Sequence, residues 1–179
     1  MLICGIDPGN KGGISFIETS PLQLIATYDM PLQEKTVPSQ KSVHTKTTEL
    51  WGSEFKDLLL RHQPSVVYIE HILPSYGAKG GVRQGAVSNS KFYGDFRYLQ
   101  GIICALDFPS IAVYPQVWKR RLGLIGEDKS ESVRLAMNLF SDKKEEFYRG
   151  NKKNKSKIIL FDGRAESALI AYYGLKDRE

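Results

Sequence analysis

Short apolar runs bounded by turn-forming residues recur along this chain, and their lengths are those of strands. The first run ends at Asp7 and is followed by Pro8-Gly9. The next two runs are rich in β-branched and aromatic residues, and only Ser20-Pro21 separates them, which predicts a hairpin. In all, strands are predicted over residues 2–7, 12–19, 22–30, 65–69 and 110–114.

Apolar residues at helical spacing predict the remaining elements. Helices are predicted over residues 48–63, 87–108, 115–122, 130–140 and 162–175. One face of the longest helix carries five bulky apolar residues, Phe92, Phe96, Leu99, Ile103 and Leu106. Thr48 is the predicted N-cap of the first helix, and Asp128 or Ser130 caps the fourth. Residues 31–48 are polar and 73–86 are rich in glycine, so both segments are predicted to be loops.

The order of these elements is β-β-β-α-β-α-β-α-α-α. Three antiparallel strands followed by strand–helix crossovers predict an α/β fold with a mixed five-stranded sheet and helices on both faces. We see no internal repeat and no second domain, and 179 residues suffice for one proper core. A single domain spanning residues 1–179 is therefore predicted.

The charge of the chain favours a polyanionic partner. Its net charge is +5 and its pI is about 9.1. Within residues 143–157 there are seven Lys/Arg and two Glu, a net of +5 that equals the excess of the whole chain. This basic loop could contact phosphates, or it could be an ordinary solvated surface.

Hydropathy and cysteine usage predict a cytoplasmic protein. No apolar run approaches the roughly 20 residues that span a bilayer, and the start lacks a charged signal-peptide region. Cys4 and Cys104 both lie in apolar runs. Both thiols are therefore predicted to be buried and reduced, with no thiolate metal site.

Two of the predicted strands end on a carboxylate. Asp7 ends the first strand and Glu70 follows the fourth. A buried carboxylate is costly unless something pairs with it. If the two strands are parallel neighbours, both acids emerge at the edge where open α/β sheets bind ligands. The ordinary alternatives are a turn-capping role for Asp7 and an exposed strand end for Glu70.

Two more acids open the last predicted helix. Asp162 and Glu166 are four residues apart and share a helix face, which is unfavourable for like charges unless a cation lies between them. Four converging carboxylates suit Mg²⁺ or Mn²⁺, and no Cys/His cluster competes for zinc. Alternatively, Asp162 is only a helix N-cap, Glu166 is solvated, and Arg164 neutralises the acids.

Five stretches carry a family resemblance. They are GIDPG at 5–9, VVYIE at 66–70, PQVWK at 115–119, EDKSESV at 127–133 and DGRAESALIA at 162–171. In their order and approximate spacing the chain resembles the RuvC-type Holliday junction resolvases of the RNase H-like superfamily. The DGRAE form is similar to the phage and chloroplast members, which would place the protein in a host cytoplasm.

The resemblance implies an endonuclease that resolves branched DNA by two-metal-ion phosphodiester hydrolysis. Two Mg²⁺ or Mn²⁺ ions would be held by the four carboxylates, Asp7, Glu70, Asp162 and Glu166. In bacterial members the last two ligands lie three residues apart rather than four, so it stays open whether Asp162 or Glu166 is the principal third ligand. Lys129 matches a family lysine near the scissile phosphate, and Lys119 falls in a second DNA-facing segment. Either lysine could instead be an ordinary surface residue.

Further contacts with DNA and a second subunit are also expected. Family members open base pairs with a residue shortly after the second acid, a role that Leu73 or Tyr76 could take. The remaining DNA-binding candidates are basic, namely Lys79, Arg83, Lys152 and Lys153. A second stripe on the longest helix consists of Gly94, Tyr98, Gly101 and Ala105. This stripe indicates a homodimer, as the resemblance also implies, or a close approach of the helix to its own sheet.

Other function classes remain open. An RNase H-fold nuclease for other branched, flap or RNA-containing substrates would share the same acids. A non-catalytic DNA-binding module is a third possibility, which four intact acids disfavour. An actin-like ATPase needs two such domains and a second phosphate loop, for which 179 residues leave no room.

Overall fold

A computed structural model of the protein describes residues 1–37, 45–72, 86–150 and 158–178. The strands are β1 (Leu2–Asp7), β2 (Gly13–Thr19), β3 (Leu22–Asp29), β4 (Leu32–Val37), β5 (Thr45–Leu50), β6 (Val66–Glu70), β7 (Ser110–Val113), β8 (Tyr148–Gly150) and β9 (Ile158–Leu160). The helices are α1 (Gly52–His62), α2 (Ala86–Ala105), α3 (Pro115–Arg121), α4 (Lys129–Leu139) and α5 (Asp162–Lys176). A short 3₁₀ segment, Ser141–Phe147, connects α4 to β8.

The central sheet has five strands in the order β3-β2-β1-β6-β7. Strands β1, β2 and β3 are antiparallel neighbours, whereas β6 runs parallel to both β1 and β7. The predicted α/β fold with a mixed five-stranded sheet is therefore confirmed. The predicted juxtaposition of the first and fourth strands is confirmed as well.

Helices cover both faces of this sheet. On one face α3, α4 and α5 pack over Ile3, Val66 and Tyr68. On the other face α1 and α2 pack over Cys4, Ile6 and other residues of the same strands. Successive side chains of each strand point to opposite faces of the sheet, as in any pleated strand. The five bulky residues of the predicted long helix all pack in this second cluster, although Leu106 lies just beyond the end of α2.

Helix α5 lies unusually close to β1, and Gly5 permits the approach. A Cβ atom at Gly5 would stand 2.1 Å from the Ser167 carbonyl oxygen and 2.4 Å from the Ala171 amide nitrogen. Both are backbone atoms, so no side-chain rotation could relieve the overlap. Gly5 therefore sets the distance at which α5 crosses the sheet.

The segment predicted as a loop over residues 31–48 differs in the structure. Strands β4 and β5 pair antiparallel as a separate two-stranded sheet. Thr48 lies inside β5 and is exposed, so it is not the N-cap of α1. Trp51 takes the N-cap position and makes no side-chain capping hydrogen bond. By contrast, Asp128 caps α4 as predicted, accepting a hydrogen bond from the amide of Ser130.

Two further expectations are corrected. Of the basic stretch predicted as a loop, residues 143–150 lie in the 3₁₀ segment and in β8, which pairs with β9, and residues 151–157 lie outside the described part of the chain. Cys104 is exposed on α2 rather than buried, whereas Cys4 is buried as predicted. Among the residues that the structure describes, no helix is long and apolar enough to cross a membrane.

Candidate active site

Strand geometry brings Asp7 and Glu70 side by side. The parallel register of β1 and β6 pairs Ile6 with Ile69, so the next residue of each strand is an acid. Side chains alternate along a strand, and Gly5 and Tyr68 both lie on the face that α5 covers. Asp7 and Glu70 therefore leave the sheet on the α5 side at its carboxyl edge.

Helix α5 brings the other two acids to the same edge. Its first turn passes the turn after β1, where Gly12 and Gly163 form an isolated bridge. A Cβ atom at Gly163 would stand 2.0 Å from the Lys11 carbonyl oxygen, so only glycine fits. Asp162 opens the helix, and Glu166, one turn later, is buried.

The four carboxylates interact electrostatically. Burial raises the pKa of Asp7 to about 6, and the charge of Glu166 is the next largest cause. Burial also raises the pKa of Glu70 to about 7, followed by the charge of Asp7, while a hydrogen bond from Trp118 opposes the shift. The charge of Asp162 also raises the pKa of Asp7, and the charge of Glu166 raises that of Glu70. The site thus holds more negative charge than its surroundings compensate.

Two lysines partly compensate this charge. Lys119 Nζ on α3 lies 3.0 Å from Glu166 Oε1, which Ser132 Oγ also contacts at 3.4 Å. Lys129 Nζ at the start of α4 lies 2.6 Å from Asp162 Oδ2. Lys119 and Lys129, two of the residues predicted to bind DNA, therefore lie beside Glu166 and Asp162.

Trp118 is a member of this site that the sequence analysis missed. Its indole Nε1 donates a 2.8 Å hydrogen bond to Glu70 Oε2, and its ring is fully buried in the core. The Nζ of Lys119 lies 5.0 Å from the ring centroid. The available signal was a tryptophan in a short basic helix, because a buried indole N–H requires an acceptor.

Arg164 does not neutralise the neighbouring acids, as one alternative supposed. Its guanidinium forms a two-pronged pair with Asp29, at 2.7 and 2.9 Å, and stacks over Phe161. It also lies 3.6 Å from Glu146. Arg164 therefore links α5 to the end of β3, and Asp162 and Glu166 pair with Lys129 and Lys119 instead.

The donor set fits a divalent cation, although the conformation shown is not a closed metal cluster. In the described ranges, no three His, Cys, Asp or Glu side chains stand close enough together to hold a metal ion. All four candidate ligands are carboxylates, the donors that Mg²⁺ and Mn²⁺ prefer. Because Lys119 and Lys129 contact Glu166 and Asp162, a metal ion would have to compete with these ammonium groups.

Six of the residues predicted to contact DNA lie outside the described part of the chain, and their role stays a prediction. They are Leu73, Tyr76, Lys79, Arg83, Lys152 and Lys153.

No protein-family model and no curated protein matches the sequence. Solved structures do match. Thermus thermophilus RuvC in complex with Holliday junction substrate has a TM-score of 0.54 and 13% identity, over 99% of this chain and 96% of that one. A second Thermus thermophilus RuvC structure gives the same values. The chain has a RuvC-type, RNase H-like fold.

The yeast mitochondrial Holliday junction resolvase Ydc2 also matches, with a TM-score of 0.44 and 15% identity over 97% of this chain and 77% of that one. At these identities the likeness concerns the fold. Within this RuvC-type fold, the function of the chain has to be argued from its own acids, lysines and surfaces.

The raised pKa values predict that the metal-free protein loses stability as pH rises from about 4 to about 7. In this window the folded protein keeps protons on Asp7 and Glu70 that the unfolded chain has released at the usual values of 3.8 and 4.5. Each group should lower the free energy of unfolding by about 3 kcal/mol at pH 8, since one pKa unit corresponds to about 1.4 kcal/mol.

The Glu70→Gln variant isolates this effect. Denaturant unfolding in EDTA at pH 4.5 and pH 8 should show the variant gaining stability over the wild type as pH rises. The exposed acids Glu18 and Asp128 have lowered pKa values and titrate below this pH window. Their effect on stability is the same in both proteins and does not alter the difference between them. Equal pH dependence in the two proteins would contradict the prediction.

Proposed function

We propose that this chain is a metal-dependent, structure-selective endodeoxyribonuclease that cleaves four-way DNA junctions. The observation that carries the proposal is the electrostatic coupling of four carboxylates near the carboxyl edge of β1 and β6, where Glu166 and Asp162 raise the pKa of Asp7, and Asp7 and Glu166 raise that of Glu70. A second support is the RuvC-type fold, one of whose known structures is a complex with Holliday junction substrate. We further infer that residues 1–179 act as one nuclease domain.

Each acid has a distinct place in the proposed reaction. Asp7 and Glu70 are the two acids whose pKa values burial raises, and together they would hold divalent cations at the scissile phosphate. Bound Mg²⁺ or Mn²⁺ would supply Lewis-acid activation of the phosphate and of the attacking water. Asp162 and Glu166 would complete the ligand set after releasing Lys129 and Lys119.

The released lysines would then serve the substrate. Lys129 is largely exposed, with 73% of its side chain accessible, so its ammonium group can turn from Asp162 to a DNA phosphate. Lys119 is more enclosed and stands over the Trp118 ring. Both ammonium groups would neutralise backbone charge close to the reacting bond.

A basic surface continues away from the acids. The last turn of α3 consists of Lys119, Arg120 and Arg121. Arg120 and Arg121 line an open depression of about 640 Å³ that reaches Lys176 and the carboxylate of Asp177 at the end of α5. A DNA arm leaving the site can contact this surface, because side-chain cations on phosphates supply most non-specific affinity.

The proposed enzyme acts as a homodimer through α2. Glycines at 94 and 101 do not approach the protein's own sheet, since a Cβ atom at either would meet nothing within 4 Å among the described residues. Tyr98, between them, is 50% exposed. A two-fold contact through this stripe would give one junction two active sites and permit paired nicks.

Replacing Gly101 by leucine should prevent the close helix contact. We expect a folded monomer whose coordinated cleavage falls more than its single nicking. Light scattering at micromolar concentration measures the mass, and Ser53→Leu at an exposed position of α1 is the matched control. A wild-type mass near 20.2 kDa, with or without junction DNA, would exclude the dimer.

The proposed activity is tested by nicking of a labelled four-way junction with Mg²⁺. Linear duplex, flap and RNA–DNA hybrid substrates of the same sequence are the comparison set. Preference for the junction supports the proposal. Preference for flap or hybrid would indicate a nuclease of other specificity on the same fold, and binding without cleavage would indicate a non-catalytic module.

A further inference from the structure

A cavity of about 350 Å³ opens at the carboxyl ends of β6 and β7. It is lined by His71, Tyr114, Pro115, Gln116, Val117 and Arg120. His71 follows Glu70 directly in the chain, and Trp118 of the same short helix α3 donates its indole N–H to Glu70. The cavity therefore begins one residue beyond the candidate active site.

The walls of this cavity are aromatic and aliphatic. The ring centroids of His71 and Tyr114 are 4.6 Å apart, and their planes are inclined by 36°. Tyr114 is 45% exposed and Val117 is 44% exposed, so apolar surface faces the opening. Arg120 adds a guanidinium at the lining. A flat aromatic ring attached to an anionic chain matches both features.

His71 also has a ring nitrogen that lacks a hydrogen-bond partner in the described part of the chain. Its Nδ1 is buried, and no atom of the described residues pairs with it. An unpaired buried polar atom is costly, so a ligand that supplies the missing partner gains affinity. Nucleobase edges carry both donors and acceptors and can satisfy either tautomer of the imidazole.

We propose that this cavity receives an unstacked nucleobase of the DNA strand whose phosphate lies at the four carboxylates. The inference rests on the proposed cleavage of DNA and adds a base-binding subsite to it. The cavity volume lies within the range of small-ligand pockets. A branch point favours the insertion, because an already unpaired base costs least to move out of the stack. The cations of Lys119 and Arg120, consecutive on α3, would follow the backbone between the two subsites.

The experiment combines protein variants with abasic DNA. Junctions carry one abasic site at each position within a few nucleotides of the branch, and binding is measured in EDTA so that the DNA stays uncut. The Tyr114→Ala variant removes one wall, whereas Tyr114→Phe keeps the ring. Val117→Trp fills the cavity from an exposed position and does not remove core packing. Trp51→Ala removes an aromatic side chain that is 43% exposed outside the cavity and serves as control.

We expect one or two abasic positions to weaken wild-type binding about 5- to 100-fold, the usual effect of losing one base–aromatic stack. Tyr114→Ala and Val117→Trp should weaken binding to intact junctions similarly and lose sensitivity to those abasic positions. Tyr114→Phe and Trp51→Ala should behave like the wild type. Thermal unfolding checks that each variant is folded. If only one of Tyr114→Ala and Val117→Trp folds, that variant alone can be compared with the wild type.

Two results would overturn the proposal. The base-binding subsite would be contradicted if no abasic position weakened wild-type binding. It would also be contradicted if the cavity variants responded to abasic positions as the wild type does. Either result would leave the proposed junction cleavage intact. A wild type that neither binds nor cleaves junctions would instead remove the proposed function, and the subsite with it.

Discussion

Asp7→Asn should abolish junction cleavage while leaving junction binding intact or tighter. The change removes a candidate metal ligand and a negative charge beside the phosphates, with almost no change of shape. We expect the cleavage rate to fall by more than about 100-fold, because even outer partners of metal ligands affect activity by 10- to 100-fold. Gel analysis of nicked junctions with Mg²⁺ measures the rate, and mobility shift in EDTA measures binding.

The same variant should be more thermally stable than the wild type in EDTA at pH 8. At pH 8 the buried Asp7 is charged, although burial and the nearby charges of Glu166 and Asp162 raise its pKa. The neutral amide removes that repulsion, so loss of activity and gain of stability should occur together. Asp57→Asn, at an exposed acid on α1, should change neither. Cleavage by Asp7→Asn at near the wild-type rate would contradict the proposed role.

Gly5→Ala should be the most destabilising small substitution in β1. The added Cβ would overlap the backbone of α5 at Ser167 and Ala171. Overpacking of this kind costs about 1–3 kcal/mol and occasionally more. Because Glu166 precedes Ser167 on the same helix, displacement of α5 should also lower cleavage. Thermal unfolding and the junction assay measure the two effects.

Gly94→Ala provides the opposite case for comparison. A Cβ atom there meets nothing within 4 Å among the described residues, and alanine favours a helix interior by about 1 kcal/mol. We expect a small gain in thermal stability when the protein is dilute enough to be monomeric, so that the proposed α2 contact is absent. If Gly5→Ala and Gly94→Ala changed the unfolding temperature alike, the close approach of α5 to β1 would not hold in solution.

The central sheet was predictable because its strands and helices carry strong apolar patterns. The run before Asp7, the run before Glu70 and the Phe96–Leu99–Ile103 stripe each bury one face or both, and such burial leaves a period in the sequence. Strands β4 and β5 leave no such period. Their described central residues are polar and exposed, and they are joined by backbone pairing and by surface pairs such as Lys46 with Glu34.

The acids of the candidate site could be predicted from the sequence, but the residues that contact them could not. A carboxylate at the end of a buried strand is visible in a sequence, so Asp7 and Glu70 could be found by inspection. The contacts of Trp118 with Glu70 and of Arg164 with Asp29 join residues far apart in the chain. They depend on how α3 and α5 cross the sheet, which local patterns do not specify. Cys104 was mispredicted for a related reason, since its apolar run forms a helix with only one buried face.

The unequal exposure of the two thiols makes this protein a natural single-label system. Cys4 is fully buried under the sheet, and burial raises its pKa far above the usual range, so it is poorly reactive. Cys104 is exposed on α2, one residue from Ala105 of the stripe proposed to join two subunits. A maleimide spin label or fluorophore would therefore attach at one position per chain without mutagenesis. In the proposed dimer, paired labels would report the separation of the two α2 helices with and without junction DNA.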